Sequence, residues 1–187
     1  MENKNLAQLK LEIQQQAKNG IDFILAAAII WFAIAVIWSL DYSAYSRSIL
    51  TFMIGALLLP LAFTFSKIFK TNWKVKDNPL KPLGLWLNFA QLLYFPFLIF
   101  VLIKTPEYFV MTYAIITGAH LFPYAWFYDD KGYAVTAVLI GVGALLIALN
   151  TTQENMYCLP LITAGCLIMF AGWILCVVQK SKYTNLN

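Results

Sequence analysis

Six long apolar runs, separated by short polar loops with lysines on every second loop, constrain this chain more than any other feature. A helix that crosses the hydrocarbon core of a bilayer needs roughly 20 predominantly apolar residues. Runs of that size occupy residues 21–40, 46–66, 83–103, 107–127, 133–149 and 156–178, the fifth being the shortest. Of the 187 residues, 61% are hydrophobic and 12% charged, against about 25% charged in ordinary soluble domains. A soluble fold of this length cannot hide so much apolar surface, so lipid has to cover part of it. The pattern predicts an all-α fold, a polytopic integral membrane bundle of six transmembrane helices. Residues 21–178 form the membrane domain, residues 1–20 a short amphipathic helix before it and residues 179–187 a short tail.

The lysines set the orientation, because basic residues accumulate on the cytoplasmic side of membrane proteins. With both termini inside, eleven of the thirteen basic residues fall on the cytoplasmic side: Lys4, Lys10, Lys18, Lys67, Lys70, Lys74, Lys76, Lys81, Lys131, Lys180 and Lys182. Arg47 and Lys104 remain outside. The net charge of +4 therefore follows membrane topology and does not argue for a nucleic-acid partner. The predicted location is the cell membrane, multi-pass. No cleavable signal peptide is visible, since the small residues Ala26, Ala27 and Ala28 lie inside the first apolar run and not after it.

Residues 1–20 read differently. Leu6, Leu9, Ile13 and Ala17 recur at helical spacing, opposite Lys10, Glu12 and the run Gln14, Gln15, Gln16. Asn5 followed by Gln8 three residues on is a helix-start signal, and Gly20 a stop signal. Such a helix lies on the inner membrane face, packs beneath the bundle, or is a frayed tail.

Polar residues inside the spans are the candidates for function. His120 is the only histidine, and an ionisable group inside a membrane span is a functional hypothesis by default. Tyr113, Thr117, His120 and Tyr124 share one helical face at spacings of four, three and four. In the third span Asn88 and Gln91 lie one turn apart, about 7 and 12 Å from the inner boundary at 1.5 Å per residue, bracketing the depth of His120. The spacing predicts a polar site in the cytoplasmic half, made of His120, Gln91, Asn88, Tyr113, Thr117 and Tyr124. A structural reading stands beside it, because polar side chains commonly join membrane helices by hydrogen bonds.

Pro60, Pro96 and Pro123 sit within spans, where each removes a backbone donor and frees a carbonyl. Asp22 opens the first span as a solvated carboxylate, as a partner for a lysine of the 67–81 loop, or as the entry of a proton relay. Asp129, Asp130, Lys131 and Gly132 read as a turn. Trp38, Trp86 and Trp126 lie near span ends, as an aromatic belt requires. The segment from Gly55 to Phe63 matches that from Gly118 to Trp126 at Gly, Ala, Leu, Pro and Ala, either as a duplicated hairpin or through the small alphabet of membrane helices.

Several chemistries find no support. There is no HExxH, GxSxG or P-loop. Cys158, Cys166 and Cys176 form no CxxC pair and read as small hydrophobes. One histidine cannot make a multi-histidine metal site within one chain. No metal or cofactor is predicted, and an enzyme is the less favoured class.

The stretch Lys18 to Ala26, with Ile29, Ile30 and Trp31 after it, resembles the start of a family of small bacterial membrane proteins known only as a domain of unknown function. Gly118 to Trp126 is similar to a second signature of that family. The resemblance implies a small multispan bacterial membrane protein and brings no activity or site residues. The leading functional expectation is a small transporter or permease-like unit, proton-linked through His120, taking a small molecule or a proton as substrate. The alternatives are a non-catalytic accessory or sensor subunit and a membrane enzyme acting on lipid. The bilayer is the surrounding partner, and a homo-oligomer is compatible with all three.

Overall fold

The computed structural model describes residues 4–73, 75 and 77–184, with side chains up to Val178. Lys74 and Lys76 lie outside the described residues, as do the side chains of Lys180 and Lys182 and the end of the tail. Helix is the only regular secondary structure among the described residues. Ten α-helices follow in order: α1 Leu6–Ala17, α2 Ile21–Ser39, α3 Ala44–Gly55, α4 Leu58–Phe69, α5 Lys81–Leu92, α6 Phe95–Lys104, α7 Phe109–Leu121, α8 Tyr124–Phe127, α9 Lys131–Asn150 and α10 Cys158–Thr184.

Among the described residues, five stretches are long and apolar enough to cross a membrane: Leu6–Ser39, Ala44–Phe69, Lys81–Lys104, Lys131–Asn150 and Gln153–Val178. The sequence pattern predicts six. The missing one is 107–127, where the helix breaks at Phe122 and Pro123 and leaves α7 with 13 residues and α8 with four. Thr112, Tyr113, Thr117 and His120 also dilute its apolar character.

Proline explains which helices break. The stretches holding Pro60, Pro96 and Pro123 are interrupted at 56–57, 93–94 and 122–123, whereas α2 and α9, which hold no proline, run unbroken. α10 also runs unbroken, its Pro160 lying in the first turn where a missing donor costs nothing. A proline ring clashes with the carbonyl four residues back and has no N–H to give it. The chain answers with tighter, 3-10-type bonds. Ala56 N donates to Met53 O (3.2 Å) and Leu57 N to Ile54 O (3.0 Å). Leu93 N donates to Ala90 O (3.2 Å) and Tyr94 N to Gln91 O (3.1 Å).

The unbroken helices and α7 make the centre. α2 packs along α10 and α4, and α9 lies between α10 and α7. Ile34, Trp38, Phe109, Leu159, Leu167 and Ile174 are completely or almost completely buried there. Trp38, expected in an interfacial belt, is one of them. Its indole donates to Thr51 Oγ1 (2.9 Å), and the Arg47 guanidinium lies over its ring at 5.0 Å. α7 and α9 approach closely at Gly118, where an added Cβ would fall 2.8 Å from the Ala137 carbonyl oxygen and 2.9 Å from the Gly141 nitrogen. By contrast α5 contains no buried residue and is held mainly against α7.

α1 forms as its start signal predicts. Asn5 Oδ1 accepts from Gln8 N and Gln8 Oε1 accepts from Asn5 N, both at 2.9 Å. The helix ends at Ala17, and Lys18, Asn19 and Gly20 all take left-handed backbone (φ 47°, 51° and 65°) to turn the chain into α2. α1 packs beneath the bundle through Ile13 while Leu6 and Leu11 stay exposed. The 70–80 loop ties onto it: Asn72 N donates to Gln16 O (2.8 Å) and Asn78 Nδ2 to Leu9 O (2.9 Å). On another side the Lys10 ammonium lies 3.8 Å over the Trp126 ring.

Candidate functional site

The polar face of α7 turns inward at its start. Tyr113 stacks beside Trp31 of α2 (5.3 Å between ring centroids) and directs its hydroxyl at Gly55 of α3, where an added Cβ would lie 2.6 Å away. Thr117 Oγ1 donates to the Tyr113 carbonyl (2.9 Å), a bond within its own helix. His120 is half-buried at the end of α7, and its ring meets Tyr124 edge to face at 5.3 Å across the break.

The third-span residues are placed differently. Gln91 is half-buried on the inward side of α5. Asn88 is exposed, and its Nδ2 donates to Gly84 O of its own helix (3.0 Å). Gly84 packs on Phe127 of α8, 3.0 Å from an added Cβ, so α5 touches the neighbouring stretch at its inner end. Among the described residues no hydrogen bond joins Asn88 or Gln91 to His120.

Tyr124 begins a second, deeper group. It stacks on Tyr128 (5.8 Å), which stacks on Tyr133 (5.4 Å), and Tyr133 meets Phe170 edge on (4.6 Å). The Tyr133 hydroxyl donates to the Asn19 carbonyl (2.5 Å). The Tyr128 and Tyr133 hydroxyls converge on Gly20, 3.2 and 3.0 Å from where a Cβ would sit. Gly20 is thus required twice, by its left-handed φ and by this approach. Burial, then the neighbouring Tyr124 and Asp22, push the Tyr128 hydroxyl well above its ordinary range.

Two carboxylates bound this group. Asp22 is 1% exposed, which overturns its expected role as a solvated residue. Its Oδ2 accepts from Thr71 Oγ1 (2.5 Å) and Trp73 Nε1 (2.6 Å), and Oδ1 accepts from Phe23 N (3.0 Å). The 67–81 loop does supply its partners, through a hydroxyl and an indole. Asp130, expected as a plain turn residue, is buried and caps α9. Its Oδ1 accepts from Gly132 N (2.9 Å) and Trp173 Nε1 (3.1 Å), and Oδ2 from Asn19 Nδ2 (3.2 Å). Neither carboxylate has an ion-pair partner among the described residues. Buried charge is costly unless it is hydrogen-bonded, and here each carboxylate collects three donors.

Asn19, Tyr128, Tyr133, Thr71 and Trp73 join the site without having been expected there from the sequence. The signals were an acid one residue inside an apolar run, a second acid at a helix start, and tyrosines spaced four and five apart. No group of three or more metal-ligating side chains occurs among the described residues.

Fold and site together define an all-helical protein whose long helices are apolar enough to cross a membrane, with a buried polar group at one end of the bundle. Residues 6–176 match the model of the family of unknown function DUF7010, and the chain belongs to that family. No curated protein and no solved structure matches it.

Proposed function

We propose that this protein is a small transport unit of the permease type in the cytoplasmic membrane, with its site at the break between α7 and α8. In this reading α7 and α8 complete a sixth crossing, both termini face the cytoplasm and α1 lies at the inner face. His120, Tyr113, Thr117, Tyr124 and Gln91 form the site, and Asn88, being exposed, stands outside it. Binding sites in transporters form where membrane helices are interrupted, since the broken ends offer free backbone groups.

One observation carries the reading. The only imidazole of the chain stands half-buried at a proline break, at the head of the tyrosine row Tyr124, Tyr128 and Tyr133, which ends among the buried Asp22 and Asp130. In this reading the site is proton-linked through His120, histidine being the side chain whose unperturbed charge change falls between pH 5 and 8. Its test is the pH dependence of the single imidazole resonance in nanodiscs. The transport reading requires a signal that moves between about pH 5 and 8 and is lost in His120→Gln. A signal fixed over that range means a dry, neutral ring and defeats proton linkage at this site.

A second reading, a non-catalytic accessory subunit, draws on a different observation. α5 buries none of its residues within the chain and is free to bury them against a partner.

A further inference from the structure

We infer that α5 is the contact between two copies of this chain, paired side by side in the membrane through Asn88. Leu85, Asn88 and Leu92 recur at spacings of three and four, the seam of a coiled coil. All three are exposed, Leu85 by 57% and Leu92 by 51%. Ile99 and Ile103 of α6 are exposed as well and continue the three-and-four spacing through Pro96. Between Leu85 and Ile103 this stripe holds one polar side chain, Asn88.

That side chain is incompletely bonded. An amide offers two N–H donors and an acceptor oxygen with two lone pairs. Asn88 uses one donor, to Gly84 O, and its oxygen has no partner among the described residues. At about 7 Å from the start of the apolar run, hydrocarbon provides no water to replace one.

Symmetry favours a second copy as the occupant. All copies insert in the same orientation, so a twofold axis along the membrane normal sets Asn88 opposite its own equivalent at the same depth. An amide is both donor and acceptor, and the two satisfy each other reciprocally. A different protein would need a polar group at the matching depth. The leucines on either side pack around the axis, and a lone asparagine in such a seam fixes register and pair number. Such a pair needs only the apolar stretch 81–104, whether or not the protein transports anything.

The test is stoichiometry by single-molecule photobleaching in dilute liposomes, with particle mass in mild detergent beside it. Wild type is expected to be a dimer. Asn88→Leu weakens the pair by about tenfold, and Asn88→Gln, which keeps the amide, retains it. Asn88 bonds only within its own helix, so the leucine variant keeps its helical circular dichroism. With the three native cysteines replaced by alanine, Leu85→Cys cross-links between copies on oxidation and Val138→Cys, on the exposed face of α9, does not. A monomeric wild type, a dimer indifferent to Asn88→Leu, or equal cross-linking at both cysteines overturns the proposal.

Discussion

Asp22 shows how one side chain organises its surroundings. It takes the indole of Trp73 and the hydroxyl of Thr71 out of the loop after α4 and holds them against the start of α2. Asp22→Ala strands both donors, at about 1–3 kcal/mol each. A large fall in melting temperature in detergent is expected, with a change in Trp73 emission; Asp22→Asn, which keeps one acceptor oxygen, loses less. An unchanged melting temperature would show that water replaces the carboxylate. Tyr128 gives a pH dependence with a definite sign. The folded state holds its proton well above the ordinary value of 10, whereas the unfolded chain releases it from pH 10 upward. The unfolded state then binds fewer protons, so stability is intact below pH 10 and falls as pH rises beyond it. Melting temperatures between pH 9 and 11.5 should therefore drop more steeply in wild type than in Tyr128→Phe.

Among the helices, proline and glycine decide shape. Pro123→Ala restores a donor for the Ala119 carbonyl, and α7 should run on into α8. Hydrogen exchange checks this: the new amide at 123 becomes protected and exchange across 121–124 slows. Persistent fast exchange would assign the break to the tyrosine stack and to Phe127 on Gly84. Glycines separate in the same way. Gly118→Ala drives a methyl into the α9 backbone at 2.8 Å and should cost about 1–3 kcal/mol. Gly143→Ala meets nothing within 4 Å and should be neutral or stabilising by up to about 1 kcal/mol. Thermal unfolding of the two variants side by side checks both. The prolines were legible in the sequence. The close approach at Gly118 was not, because a glycine in a membrane helix looks the same whether or not another backbone lies against it.

At the scale of the molecule, α2, α7, α9 and α10 carry most of the core, and α5 lies at its edge without a buried residue. The proposed topology makes a direct prediction about the 128–131 turn. In a six-crossing chain it lies on the same side as the 70–80 loop. Asp129→Cys, in a background with the native cysteines removed, should react with an impermeant thiol reagent only after the cytoplasmic face is opened. Labelling from the outside of intact cells would show that α7 and α8 do not cross. The polar end of the bundle is a property of the whole chain too, since its parts come from α2, the 70–80 loop, the 128–130 turn, α9 and α10.

Hydropathy and local signals by themselves determined the helical class, the extent of α2 and of four further apolar stretches to within a few residues, the α1 cap at Asn5 and Gln8, and the prolines at which helices break. These are local quantities, set by the side chains along one segment and their medium. Only the tertiary structure decided that Asp22 and Asp130 are buried together with Tyr128 and Tyr133, that Trp38 is core and not belt, and that Asn88 is exposed and bonds within its own helix. Those outcomes depend on which helix lies against which, and on the rotation of each about its axis. An apolar sequence encodes that rotation weakly, because lipid and a neighbouring helix reward the same side chains.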